Sequence, residues 1–156
     1  MATLKSSFKN TSENLVIGLA SRDGALVIES GTLSLSSKSL LAILEDLGAT
    51  GKREEVIKVP APAGLSARLI IFTGLGEATK GSVYPHEVLR RAAGAATRAL
   101  AGKKNADFAL PHNHDETFAA IAEGVGLASY SFITSWRIEG RAKGTARHRN
   151  DHLEER

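Results

Sequence analysis

The chain has 156 residues, of which 42% are hydrophobic and 24% charged, and its formal net charge is +3. These values exclude the disordered and collagen-like classes, suit one domain with one core, and give little reason to expect a nucleic-acid-binding face. With no cysteine, disulfides and thiolate metal sites are excluded as well, and a reducing compartment is the natural setting.

The amino terminus, MATLKSSFKNTSEN, lacks the apolar centre of a signal peptide, and no apolar run approaches the ~18 residues of a membrane span. The expected location is therefore the cytoplasm, with no membrane partner. Aromatic residues are 5% of the chain, so the core should be aliphatic, with small residues where elements approach closely.

Leu15-Val16-Ile17-Gly18-Leu19-Ala20 and Ala25-Leu26-Val27-Ile28 read as two strands joined by the turn Ser21-Arg22-Asp23-Gly24. Ser36 or Ser37 then caps a helix carrying Leu40, Leu41, Ile43, Leu44 and Leu47 at helical spacing, and Gly48 stands where a left-handed C-cap is wanted. Val56 to Val59 is a strand stopped by Pro60, and Ala61-Pro62-Ala63-Gly64 is a loop. The segment Arg68-Leu69-Ile70-Ile71-Phe72-Thr73 is apolar on both faces, as a central strand of a covered sheet must be, and Gly74-Leu75-Gly76 is expected to end it.

From Pro85 onward, Val88, Leu89, Ala92, Ala93, Ala96, Ala99 and Leu100 form a wide apolar stripe on a helix whose alanines and Gly94 suggest close packing. Ala106 to Pro111 is a further buried strand. Phe118, Ile121, Ala122, Val125 and Ala128 then mark a last helix, with Asp115 near its positive end. Strands alternating with helices predict an α/β domain, a mixed sheet flanked by helices in three layers.

Few residues offer chemistry. Between strand and helix, Thr73 to Ser82 is rich in glycine and could present amides to a phosphate, but Lys80 precedes Gly81 where a nucleotide-binding loop needs the reverse order. Thr79 stands where the dinucleotide fingerprint needs its third glycine. Gly74 and Gly76 are accordingly read as a sharp turn. His112-Asn113-His114-Asp115 could offer two imidazoles and a carboxylate to a metal, yet no second cluster completes a ligand set, and the segment reads as a polar loop capping the next helix.

His148 and His152 lie in a charged tail without the intervening glutamate of a zinc-protease helix, and the adjacent acids Glu45-Asp46 and Glu54-Glu55 point in different directions. No serine sits in a nucleophile turn. No catalytic, cofactor-binding or metal-binding residue is therefore assigned, and no cofactor is expected in this chain.

Two blocks carry a resemblance. Leu69 to Leu100 has a buried strand ending in Gly-Leu-Gly, a polar loop, and an alanine-rich helix with Arg90-Arg91-Ala92-Ala93-Gly94; Ala109-Leu110-Pro111 precedes Ala122-Glu123-Gly124-Val125-Gly126-Leu127-Ala128-Ser129-Tyr130-Ser131-Phe132. Both are similar to the amino-terminal domain of the cytosolic leucyl aminopeptidases, over residues 15 to 136. The resemblance implies a macro-domain-like fold, a non-catalytic role in assembly or active-site access, and as partners a catalytic domain and the other subunits of a homo-oligomer, a hexamer in the family. It also implies two divalent metals, zinc or manganese, in that other domain, whose lysine, aspartate and glutamate ligands and Asn-Thr-Asp-Ala-Glu-Gly-Arg signature have no counterpart here.

The domain is expected over residues 1–136, followed by a charged linker or tail at 137–156, where Ile138-Glu139-Gly140-Arg141 also spells a protease site used in recombinant expression. Two other readings stand beside the first. One is a free-standing macro-like module binding ADP-ribose or a nucleotide in the loop after Phe72; the other is weak nucleic-acid binding through the basic tail.

Overall fold

The computed structural model describes residues 13–30, 38–63, 65, 67–103, 105–128 and 135–138, the last in backbone only. Their order is β1 (Asn14–Arg22), β2 (Ala25–Glu29), α1 (Lys38–Asp46), β3 (Val56–Pro60), β4 (Leu69–Glu77), a single 3-10 turn (Lys80–Ser82), α2 (His86–Ala99), β5 (Asn105–Ala109), α3 (Asp115–Ala128) and β6 (Ser135–Ile138). The six strands form one mixed sheet in the order β3-β4-β1-β5-β6, with β2 also on β1.

β1 organises this sheet. One edge runs parallel to β4 for nearly its whole length, from Asn14 opposite Leu69 to Ser21 opposite Glu77. The other edge is shared: Leu15 to Ile17 pair in parallel with β5, and Gly18 to Arg22 pair antiparallel with β2. The hairpin turn between β1 and β2 places Asp23 at φ 52° and Gly24 at φ 82°, the left-handed pair that matches strand twist in a two-residue turn. β3 is an antiparallel edge strand ending at Pro60, where a missing N–H is tolerated.

Alternation along the strands builds two cores. Leu15, Ile17, Leu19, Ile70, Phe72 and Ala109 face Leu40 and Leu44 of α1. Val16, Ala20, Ile71, Leu75, Ala106 and Phe108 face α2 and α3. The result is the expected three-layer α/β arrangement, and it explains why β1 and β4 are apolar on both sides. A buried bond ties the layers together, the Thr73 hydroxyl donating to the Ala92 carbonyl of α2 at 2.8 Å.

α1 ends in the predicted way. Gly48 has φ 80°, its N–H donates to Glu45 O at 3.0 Å, and the Ala49 N–H donates to Leu44 O at 2.9 Å, the paired bonds of a Schellman cap. The helix is less buried than its pattern suggests, since Ile43 is 42% and Leu47 56% exposed. Ser36 and Ser37, the proposed caps, lie outside the described residues.

Two expectations change. Gly74-Leu75-Gly76 does not end β4, which continues to Glu77. The register with β1 shifts there, Leu19 facing Gly74 and Ala20 facing Gly76, so that Leu75 is the extra residue of a bulge. The glycines serve a covering loop, residues 51–55, as described below. At the other end, Arg137 and Ile138 join β6, which pairs in parallel with β5; the sheet thus runs two residues past the boundary expected at Trp136.

Candidate functional site

The loop 51–55 seals the glycine segment of β4. Gly74 N–H donates to Glu55 O at 2.7 Å, Gly76 N–H to Gly51 O at 2.8 Å, and Glu54 N–H to Gly74 O at 3.1 Å. Both glycine amides are consumed inside the protein, which leaves neither for a phosphate group. The approach is so close that a Cβ on Gly74 would lie 1.6 Å from Lys52 O.

Glu55 holds this loop in shape. Its carboxylate accepts from Thr50 N–H at 2.9 Å, Thr50 Oγ1 at 2.7 Å and Gly51 N–H at 3.0 Å. Burial alone would raise its pKa, but the bonds from Thr50 and Gly51, helped by Lys52, outweigh burial and hold it below 4.5. A depressed folded pKa stabilises the protein above the unfolded value and ceases to do so as pH falls through the folded value. Glu55→Gln is therefore expected to cost about 1–2 kcal/mol at pH 7. In urea denaturation the gap to the parent protein should begin to narrow as pH falls past the ordinary glutamate value of about 4.3 and close as the folded carboxylate takes up its proton at lower pH; a gap independent of pH would dissociate the carboxylate from the clamp.

A buried acid, Glu29 at the end of β2, accepts from Tyr84 Oη at 2.6 Å and from Ser82 Oγ at 2.8 Å. Burial first, and then the Glu29 carboxylate, push the Tyr84 phenol well above its ordinary range. This bonding fixes the segment leading into α2 against the hairpin. The tyrosine stays protonated as a donor, and the arrangement is structural.

A concave feature lies between α2 and α3, a groove of about 510 Å³ lined by Glu54, Arg90, Arg91, Arg98 and Leu127 around Gly94 and Gly124. Its floor exists because the helices nearly touch: a Cβ on Gly124 would meet Arg90 O at 2.2 Å. The close packing expected from Gly94 is thus present, with Gly124 as its opposite half. Along the groove Arg90 pairs with Glu87 and Glu123. Arg91 Nε lies 2.6 Å from Glu87, Arg91 Nη1 3.6 Å from Glu54, and Arg98 Nη2 3.9 Å from Glu54.

Hydrogen bonding to Arg91, with the field of both arginines, holds the Glu87 carboxyl below its ordinary value. The hydrogen bond to Glu123 in turn raises Arg90, and that to Glu87 raises Arg91. Among the described residues, three arginines face three glutamates with no net charge left for an anionic ligand, and the lining holds no hydroxyl, thiol, amine or imidazole to act as a nucleophile. Leu127 is nonetheless 73% exposed at the rim. A paired charge network beside an exposed leucine suits contact with a protein surface better than chemistry on a small molecule.

The polar loop before α3 does cap that helix, but through an unforeseen residue. Thr117 Oγ1 accepts from Asn113 N–H at 3.1 Å and His114 N–H at 3.2 Å, a third-position side chain reaching back over the helix start in the manner of a capping box. His112 and His114 do not face one way. Nδ1 of His112 is 3.1 Å from Leu110 O, and its ring packs edge-on against Phe118. His114 instead meets His86, the first residue of α2, with ring centroids 5.9 Å apart. His86 escaped the sequence reading because nothing in its local spacing ties it to residue 114.

His86, His114 and Glu116 are, among the described residues, the one group of three ligand-type side chains close enough to share an ion. The group has neither lysine nor aspartate, so it does not fit the two-metal centre implied by the family resemblance. His148, His152 and the basic tail from residue 139 lie outside the described residues.

Residues 16–134 match the model of the cytosol aminopeptidase family, N-terminal domain. A probable cytosol aminopeptidase of Streptomyces avermitilis is 42% identical over 138 residues, covering 81% of this chain and 27% of that protein. One from Streptomyces coelicolor is 44% identical over 122 residues, covering 76% and 24%. The chain thus spans about a quarter of the length of the curated relatives it matches.

Among solved structures, a tomato leucine aminopeptidase superposes with a TM-score of 0.56 at 20% identity, covering 94% of this chain and 33% of that one. The bottromycin maturation enzyme BotP gives 0.58 at 16%, covering 90% and 29%. These two show the fold. The Arg90 to Gly94 and Glu123-Gly124 segments that carry the sequence resemblance are the two walls of the α2–α3 groove, and with the match over residues 16–134 the chain belongs to the cytosol aminopeptidase family as its N-terminal domain.

Proposed function

We propose that the chain acts as a non-catalytic domain of an aminopeptidase, contributing to assembly of the parent enzyme or to access to its active site. The observation that carries this reading is the match of residues 16–134 to the family's N-terminal domain by a chain covering 27% of a full relative. The groove between α2 and α3, charge-balanced and bordered by exposed Leu127, supports a docking role over a reaction. Catalysis in the parent would rest on the other domain, where two divalent metals, zinc or manganese, would activate a water for attack on the first peptide bond. The partners proposed for this macro-domain-like domain are the catalytic domain and the sister subunits of a hexamer in the cytoplasm, in keeping with the relatives' description as cytosol aminopeptidases.

The purified chain is expected not to hydrolyse leucine p-nitroanilide with added manganese or zinc, once host aminopeptidase is excluded by a mock preparation. Turnover that tracks this chain through purification would overturn the reading. For assembly, mixing the chain with the remaining part of such an enzyme should shift its native mass, and Leu127→Asp should weaken the association. An unchanged association would place the contact away from the groove.

A further inference from the structure

We propose that His86, His114 and Glu116 form a binding site for a first-row divalent transition metal, zinc above all, that clamps the start of α2 to the start of α3. One ligand atom from each lies within 4.8 Å of the other two. The residues come from two elements whose relative position is set elsewhere: α2 and α3 are locked by the near contact of Gly124 with Arg90. The loop bearing His114 is pinned by Thr117, whose hydroxyl also donates to His114 O at 2.7 Å. The approach of His86 to His114 is therefore a property of the packed domain rather than of one flexible segment.

The donor set selects the ion. Two imidazoles and one carboxylate suit zinc, copper or nickel and disfavour calcium and magnesium, which take oxygen ligands. Tetrahedral zinc with bonds of about 2.0–2.1 Å separates its ligand atoms by about 3.4 Å. Lying within 4.8 Å of one another, the three groups must therefore draw in by at most roughly 1.4 Å, a distance that rotation of exposed side chains covers. Their present contacts do not hold them apart: His114 Nδ1 is 3.9 Å from Glu116 Oε1, beyond hydrogen-bond range.

Both helix starts carry partial positive charge, which opposes a cation. The Glu116 carboxylate offsets this, and a moderate affinity follows rather than that of a fully enclosed structural site. Three protein ligands leave a fourth position for water. His112 stands outside this group, its ring packed edge-on against Phe118.

The test is calorimetric titration of the whole chain with Zn2+ after chelator treatment. One saturable site is expected, weakened at least about tenfold in His86→Ala, in His114→Ala and in Glu116→Gln, and unaltered in His112→Ala and in the His148→Ala/His152→Ala double variant. Zinc at a hundredfold excess over the parent Kd should also raise the melting temperature of the parent protein by about 5 °C or more, and that of His86→Ala by no more than about half as much. Since the three side chains are exposed, unaltered melting of the variants in chelator verifies their fold; should His86→Ala melt early, His86→Gln replaces it. Equal binding by parent, His86→Ala and His114→Ala, or no saturable binding up to about 1 mM Zn2+, would overturn the proposal.

Discussion

Gly74→Ala should lower stability by about 3–5 kcal/mol, a large share of the ~5–15 kcal/mol that holds a typical domain together. The added Cβ would sit 1.6 Å from Lys52 O and 2.7 Å from Lys52 C. Both atoms are backbone, so no side chain can swing aside, and the 51–55 loop must lift off β4. With it go the bonds from Gly74 N–H to Glu55 O, from Gly76 N–H to Gly51 O and from Glu54 N–H to Gly74 O. Each is worth about 1 kcal/mol, and the buried strand amides are left unsatisfied.

Gly102→Ala is the control. That residue has φ +90° but open space around its Cβ position, so conformational strain alone is expected, about 1 kcal/mol. Gly74 is not among the positive-φ glycines, so steric contact with the loop is the whole of its expected loss; in urea denaturation a loss at Gly74 no larger than that at Gly102 would mean that the loop seated on β4 yields at little cost.

At the helix crossing, two glycines should respond with opposite sign. Gly124→Ala places a Cβ 2.2 Å from Arg90 O and 3.0 Å from Arg90 C, forcing α2 and α3 apart along their whole contact. Overpacking of this kind costs about 1–3 kcal/mol, and the spreading of Ala92, Ala93 and Ala96 from Ile121 and Val125 adds to it, against about 1 kcal/mol gained in helix propensity. A net loss of about 2–3 kcal/mol is expected.

At Gly94 the nearest atoms are the flexible Arg98 guanidinium at 3.4 Å and Gly124 O at 3.5 Å. Gly94→Ala should therefore be neutral or stabilising by up to about 1 kcal/mol. Thermal denaturation decides the matter. A loss at both positions would mean that the helices pack more tightly in solution than these distances describe; a loss at neither would mean that the crossing yields at little cost.

Much of the fold was legible because the signals involved are local and periodic. Apolar runs such as Leu15 to Ala20 marked covered strands, the stripe from Val88 to Leu100 marked α2, and Gly48 marked the end of α1. The glycine segment was misread for a definite reason. Gly74 and Gly76 carry the composition of a turn, yet their purpose is to admit residues 51–55 against the strand, and nothing in positions 69 to 77 reveals that a distant loop will lie there. The candidate sites followed the same division. Arg90 to Gly94 and Glu123-Gly124 could each be matched to a family pattern, but that they are opposite walls of one groove was not visible in either block.

The sequence by itself determined the family, the alternation of strands and helices, the turn between β1 and β2, the Gly48 cap of α1, and the absence of disulfides. Each depends on neighbours within a few residues, or on a pattern that one segment displays alone. Only the tertiary structure decided that β1 shares one edge between β2 and β5, that α2 and α3 meet at Gly124, and that His86 stands beside His114 and Glu116. Those facts depend on which surfaces come together when two faces of a sheet are buried at once. Side chains remote in sequence then share a few ångströms of space under steric and hydrogen-bonding constraints that no local spacing encodes.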